Sequence, residues 1–302
     1  MRVDPFYVTN LVSSLDQTQV SLQQLTAELS SGVSINSLSQ NPVGAGQNVL
    51  LLNQIQQDDS FTRSSTLVTG QLQVADSSLG SVVSELNTAI SLATSANNGT
   101  MNASNVKSIA NQIAGILNEV TSLANTNYQG QYIFAGGQTS KVPFTTSTTS
   151  SPAVTTYNGD ADVNYLQTPN GQKIQLNVPG DQIFLGSGPN SVFGALNALI
   201  ADYSTGTVNT NQAVSDTQAL STALNYVSQQ RVTIDNSINQ VTAAADAVTN
   251  VQTQLATAQT NLMQADIPTI STQLSLAETQ QTALMSVIAQ LNTPSNDLFS
   301  KL

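Results

Sequence analysis

Apolar residues recur every three or four positions over most of this chain. Near its start Val8, Leu15, Leu22 and Leu29 fall seven apart, Leu11 and Leu25 occupy the alternate seam position, and Thr18 breaks the pattern. Near its end the same spacing joins Ile267, Ile270, Leu274, Ala277, Gln281, Leu284, Ile288 and Leu291. A sustained 3-4 spacing describes a narrow coiled-coil stripe, not the broad face of a helix in a globular core. Asp266 is placed to cap the second segment, and Pro268 falls in its first turn, where proline is tolerated.

Three inner segments follow the same rule. The first carries Phe61, Val68, Leu72, Ala75, Leu79, Val82, Leu86, Ala89 and Ala93 and ends in "NNG" at 97–99. A shorter one carries Val106, Ile109, Ile113, Ile116, Val120 and Leu123. The third carries Leu220, Leu224, Val227, Ile234, Ile238, Val241, Val248, Leu255 and Leu262. At about 1.5 Å per residue the first and third would be rods of roughly 65–80 Å, and such rods need neighbours along their length. One antiparallel bundle satisfies all three seams. Arg231 interrupts the third seam. A side chain snorkelling to the surface is the default there, and a tie to a carboxylate on another helix is the alternative.

Between the second and third inner segments the period changes to two. From "YIFAGGQTSKVPFTT" to "VPGDQIFLG", β-branched and aromatic residues alternate between Gly, Pro and Asn-Gly punctuation. "YNGD" and "TPNGQ" are turn signals, and "KIQLNV" reads as a strand. The expected fold is mainly α with a small β insert. It comprises an elongated antiparallel helical bundle, a terminal two-helix coiled coil and a small β domain. Residues 1–44 and 263–302 would form the terminal module, 45–135 and 189–262 the bundle, and 136–188 the insert. Within the terminal module, "SSGVSINSLSQNP" (residues 30–42) reads as a spoke that joins an assembly helix to a body able to fold by itself.

Composition narrows the function. The chain has 302 residues, a net charge of -11, and charged residues at only 8% against 39% hydrophobic. That sign is wrong for a phosphate backbone or an anionic membrane, so neither nucleic acid nor membrane is an expected partner. No apolar run approaches membrane-spanning length. The start has one Arg but no apolar core or cleavage site, so no secretory signal peptide is expected. The absence of His and Cys removes Ser-His-Asp and Cys-His nucleophiles, imidazole or thiolate metal sites, and disulfides. No cofactor, metal or catalytic residue is expected. The best carboxylate cluster is "NGDADVN", with Asn158, Asp160, Asp162 and Asn164 at alternate positions. A calcium loop would want Gly at Val163 and a carboxylate at Pro169, so a polar turn is the better reading. Asn98-Gly-Thr and Asn102-Ala-Ser match a glycosylation acceptor pattern that a Ser/Thr-rich chain often meets by chance.

These residues resemble the flagellin family, and within it the hook-associated branch of the hook–filament junction. "ELSSGVSINSLSQNPVGAGQNV" resembles the family's N-terminal spoke motif, with Ser34 where the family usually has Arg or Lys. "LANTNYQGQYIFAGGQTSKVPF", followed by "YNGD" and "VPGDQIF", resembles that branch's entry into its β domain. "QADIPTISTQLSLAETQQTALMSVIAQL" and the ending "NDLFSKL" resemble the family's C-terminal helix. The resemblance implies a structural, non-enzymatic protein of the bacterial flagellum that forms the ring joining hook to filament. It implies an extracellular location, reached through the hollow flagellum without a cleaved signal peptide. The implied partners are further copies of the chain, the neighbouring hook-associated junction protein, flagellin and an export chaperone. Val8, Leu11, Leu15, Leu22, Leu25, Leu29, Ile267, Ile270, Leu274, Leu284, Ile288 and Leu291 form the expected assembly seam, since a narrow isolated stripe has no core of its own to join. Two alternatives stand beside this reading: a filament-forming flagellin, and a secreted glycan-binding protein or enzyme working through the β insert.

Overall fold

A computed structural model describes residues 6–37, 39, 41–147, 154–186 and 191–292. The chain divides into two compact units, one of Met1–Gln56 with Val251–Leu302 and one of Gln57–Asn250. Six α-helices are described: α1 Phe6–Ser31, α2 Pro42–Asn97, α3 Ala103–Ala124, α4 Val192–Ser204, α5 Thr210–Met263 and α6 Ile267–Asn292. Short strands β1 Asn127–Tyr128 to β6 Lys173–Gln175 lie between α3 and α4. The fold is mainly α with small antiparallel β elements, as the change of period predicts.

In the Gln57–Asn250 unit the heptads become a dry seam. From α2, Leu72, Ala75, Leu79, Val82, Leu86, Ala89, Ala93 and Ala96 alternate by three and four, each at most 2% exposed. Helix α5 adds Ala213, Leu220, Val227 and Ile234, one every seven residues, to the same core. Helix α3 adds Val106, Ile109, Ile113, Ile116 and Val120, and α4 adds Val192, Phe193, Leu196, Leu199 and Tyr203. Fully burying one such aliphatic side chain is worth about 1.5–3 kcal/mol, so this seam carries the stability of the unit. Leu224 and Ile238, expected in the third seam, are only half-buried, while their smaller neighbours Ala223 and Ser237 are buried.

Several polar groups at this core are tied across elements. Ser78 Oγ donates to the Leu123 carbonyl at 2.9 Å. The buried Tyr203 hydroxyl donates to Asn97 Oδ1 at 2.9 Å, and Asn97 Nδ2 reaches Thr217 Oγ1 at 3.3 Å, which links α2, α4 and α5. Arg231 does not snorkel. Its Nε and Nη2 donate to Asp76 Oδ1 and Oδ2 at 2.8 and 3.1 Å, because α2 presents a carboxylate with both oxygens toward the guanidinium fork. These bonds hold the Arg231 guanidinium above its ordinary pKa. At the end of α4, burial followed by a carboxyl–carboxyl contact with Asp216 pushes Asp202 up to about 6.

The strands form three separate antiparallel hairpins, β1 with β2 (Gln131–Tyr132), β3 (Phe144–Ser147) with β4 (Val154–Tyr157), and β5 (Tyr165–Gln167) with β6. "TPNGQ" makes the β5–β6 turn, closed by Gly171 N–H donating to the Thr168 carbonyl at 2.9 Å. Asn125, just past α3, pins β3 as a neighbouring strand would. Its carboxamide donates to the Phe144 carbonyl and accepts from the Phe144 N–H, both at 2.8 Å. The rings of Phe134, Phe144, Phe184 and Phe193 then pack at centroid separations of 5.3–5.8 Å, so this region shares the helical core. The "NGDADVN" stretch is a turn lock: Asp160 Oδ1 accepts from the N–H groups of Gly137 at 2.6 Å and Asp162 at 3.1 Å. The Gly137 bond, more than any other cause, holds Asp160 below the usual carboxylate range. Among the described residues no group of three or more acidic side chains could hold a metal ion.

Two outcomes follow from this packing. Gly136 sits at φ +66°, and a Cβ there would lie 2.2 Å from Asp160 Oδ1 and 2.3 Å from the Asp160 carbonyl oxygen. Gly136→Ala should therefore destabilise this unit by about 1–3 kcal/mol in urea unfolding, through strain and the lost turn lock. Asp202 has a raised folded pKa, so its stabilising contribution is complete below the ordinary value of 3.8 and is lost as pH rises through about 6. Asp202→Asn should unfold at a higher urea concentration than the parent at neutral pH, and the advantage should vanish on acidification below 3.8.

Candidate assembly surface

The unit built from the two ends of the chain starts with a clasp. Helix α1 stops at Ser31, and the Gly32 N–H donates to the Glu28 carbonyl at 2.9 Å. Val33 and Gln264 then form an isolated antiparallel bridge. The Ser34 N–H and hydroxyl both donate to the Met263 carbonyl, at 2.7 and 3.1 Å, which satisfies a carbonyl left open where α5 ends. In return the Ala265 N–H donates to the Gly32 carbonyl at 3.0 Å. The end of α1 and the beginning of α6 are thus held side by side, so the two helices run antiparallel and pack together.

Each neighbouring helix start is capped. Asn41 accepts from the Gly44 N–H at 2.9 Å, and Pro42 takes the first helical position of α2, where its missing N–H is harmless. Ile35 is buried beneath Gly44, where a Cβ would come within 2.6 Å of Ile35 Cδ1. Asp266 caps α6: its Oδ1 accepts from the Thr269 N–H at 3.2 Å and its Oδ2 from the Thr269 hydroxyl at 2.7 Å. Pro268 follows in the first turn, as its sequence position predicts. The Thr269 bonds hold the Asp266 carboxyl below its ordinary pKa.

The expected seam residues have unequal fates. Leu11, Leu15, Leu22, Leu25 and Leu29 on α1 are half-buried, as are Leu274, Leu284 and Ile288 on α6. Ile270 and Ala277 are buried, whereas Ile267 is exposed at the capped end. The side chains of Val8 and Leu291 lie outside the described residues. Thr18, the break in the heptads, is itself buried, and its hydroxyl donates back to the Ser14 carbonyl at 2.8 Å. A threonine that satisfies its own hydroxyl within the helix can occupy a seam position. Sequence spacing gives no signal for the clasp, because backbone groups and one serine make it.

Burial is distributed very unevenly between the units. Of 42 buried hydrophobic residues among those described, only Ile35, Ala265, Ile270 and Ala277 belong to the terminal unit. Of 18 exposed large hydrophobics, it carries 11. They include Val12 and Val20 on α1, Val43 and Leu50 on α2, and Leu276 and Met285 on α6. The side chains around them are mostly Ser, Thr and Gln; α6 carries a single charge, Glu278, and α1 only Asp16 and Glu28. An apolar, nearly uncharged surface over a minimal core is the composition of an interface. Among the described residues no helix is long and apolar enough to cross a membrane.

The bacterial flagellin N-terminal helical region matches residues 7–139, from α1 through the first hairpin. Over that stretch, less than half of its length, the chain is similar to the flagellin family. The chain is 25% identical over 182 residues to flagellar hook-associated protein 3 of Salmonella typhimurium, across 60% of its own length and 56% of that protein's. The match to the Escherichia coli protein of the same name is 25% identical over 171 residues, 56% of this chain and 52% of that one. The chain thus spans little more than half the length of these relatives. Its fold is similar to that of a putative flagellar hook-associated protein from Vibrio parahaemolyticus. The TM-score is 0.67 at 17% identity, covering 74% of this chain and 100% of that one. Hook-associated protein-3 from Legionella pneumophila gives a TM-score of 0.62 at 14% identity, covering 70% and 98%.

The α6 cap offers a direct check on this unit. Asp266→Ala should speed hydrogen exchange at the Thr269 and Ile270 amides while leaving the Leu79 amide protected. Because the Asp266 pKa is lowered in the folded chain, its capping contribution is present above the ordinary Asp range and is lost as pH falls through the folded value. Acidification should therefore loosen the same amides in the parent and change little in Asp266→Ala.

Proposed function

We propose that this chain is a structural, non-enzymatic component of the bacterial flagellum that forms the junction ring joining hook to filament. The observation that carries the proposal is the terminal unit, which exposes more large apolar residues than its own helix pair can cover. On this reading further copies of the chain cover that surface, with the neighbouring hook-associated junction protein on one side of the ring and flagellin on the other. The names and folds of the relatives support the assignment. The chain acts outside the cell, after passage through the flagellar channel with a dedicated chaperone.

Energetics favour ordering of α1 and α6 on assembly. Fixing the backbone costs on the order of 1–2 kcal/mol per residue. A fully buried Leu or Ile returns about 1.5–3 kcal/mol, and the seam leucines here are only half-buried. A lone pair of such helices is close to balance, and neighbouring subunits supply the missing burial. The match to the flagellin N-terminal region also suits a second reading, a filament-forming flagellin. Growth of long filaments from seeded, purified protein would favour that one.

The test is complementation of a strain lacking the gene. The parent chain should restore swarming, whereas Leu22→Asp and Leu284→Asp should leave hooks without filaments and filament protein in the medium. Both variants should keep the main urea transition within about 0.5 kcal/mol of the parent, since neither site lies in the buried core. Normal filaments in both variants would count against assembly through these helices.

A further inference from the structure

The sequence holds three Asn-Gly steps, Asn98–Gly99, Asn158–Gly159 and Asn170–Gly171. The fold places them in different surroundings. Asn158 Nδ2 donates to Thr145 Oγ1 at 3.0 Å, its N–H donates to the Pro143 carbonyl at 2.7 Å, and Gly159 is packed against the Tyr157 hydroxyl. Asn170 Oδ1 accepts from the Thr168 hydroxyl and the Gln172 N–H, and the Gly171 N–H donates to the Thr168 carbonyl at 2.9 Å. Asn98 differs from both. It is exposed just past the end of α2, its carboxamide makes no hydrogen bond among the described residues, and Gly99 faces open space.

We infer that Asn98 is a self-modification site, where the folded chain selectively converts a carboxamide to a carboxylate. The Gly99 backbone nitrogen attacks Asn98 Cγ, forming an N–C bond and losing its proton, and the side-chain nitrogen leaves as ammonia. Water then opens the resulting five-membered imide at either carbonyl, giving aspartate or isoaspartate, so no oxidant or further reactant is needed. Attack requires the carboxamide to swing toward the next backbone nitrogen. At Asn158 and Asn170 that motion breaks hydrogen bonds, and at Asn98 it breaks none. The new charge falls at the C-terminal end of α2, where the helix dipole already disfavours an anion. It also lies one residue from Asn97, which joins Tyr203 and Thr217.

The experiment is incubation of the full-length chain at mildly alkaline pH, with peptide mapping by mass spectrometry to follow amide-to-acid conversion at all three sites. Conversion at Asn98 should run about tenfold or more faster than at Asn158 and Asn170, the factor set by roughly one to two net hydrogen bonds. In urea, where all three loops are unfolded, the rates should converge. Comparable rates in the folded chain, or the same ranking in urea, would overturn the inference.

Discussion

The heptad seam of α2 is the constraint on which the larger unit depends. Eight residues from Leu72 to Ala96 lie in an unbroken 3-4 alternation, and every one is essentially removed from water. A stripe of that length is stable only if other helices cover all of it. Helices α3, α4 and α5 do so, and their own apolar positions join the same core. Small residues matter as much as large ones there. Ala75, Ala89, Ala93 and Ala96 on α2 and Ala223 on α5 are all buried, where an alanine leaves the neighbouring backbone room to approach. The polar groups that accompany them are matched across helices, Arg231 to Asp76 and Tyr203 to Asn97, so burial leaves those groups with partners.

The β region draws on the same core. Phe144, Ile183 and Phe184 belong to the cluster that contains Phe193 of α4. Asn125 extends the hydrogen bonding of β3 toward α3, and Tyr157 donates to the Phe134 carbonyl at 3.0 Å. Burial of that hydroxyl, with Asp181 nearby, pushes the Tyr157 pKa up to about 12, so it stays a donor across any physiological range. Strands this short cannot support themselves. Their stability comes from aromatic rings seated against helices and from a turn locked by Asp160.

The terminal unit obeys the opposite economy. Its helices are joined by backbone hydrogen bonds at the clasp and capped by Asn41 and Asp266, so direction and register are set with little apolar burial. Local polar chemistry positions α1 beside α6, and the apolar side chains that would normally finish a core remain on the surface. Such a unit is specified without being saturated, which is what the proposed assembly with further copies of the chain would require. The scarcity of charge on α1 and α6 fits that proposal, since few ions would need desolvation if the surface were covered.

Much of this was legible in the sequence. Spacing alone determined which segments are helices, since a 3-4 repeat leaves one apolar stripe and a helix is the only backbone that aligns it. It also determined the seam of α2 from Leu72 to Ala93, the change to strands after α3, and the cap at Asp266 with Pro268 in the first turn. The absence of His and Cys bounded the chemistry before any fold was considered. Other features were decided only in three dimensions. Hydrophobicity favours Leu224 and Ile238 over Ala223 and Ser237, but helix rotation in the packed unit buries the smaller pair. Arg231 found Asp76 across 155 positions of sequence, and Ser34 found the Met263 carbonyl across 229, pairings that no local pattern encodes. Periodicity reports which face of an element is apolar, and partner choice depends on which backbone and polar atoms the packed helices bring within hydrogen-bond distance.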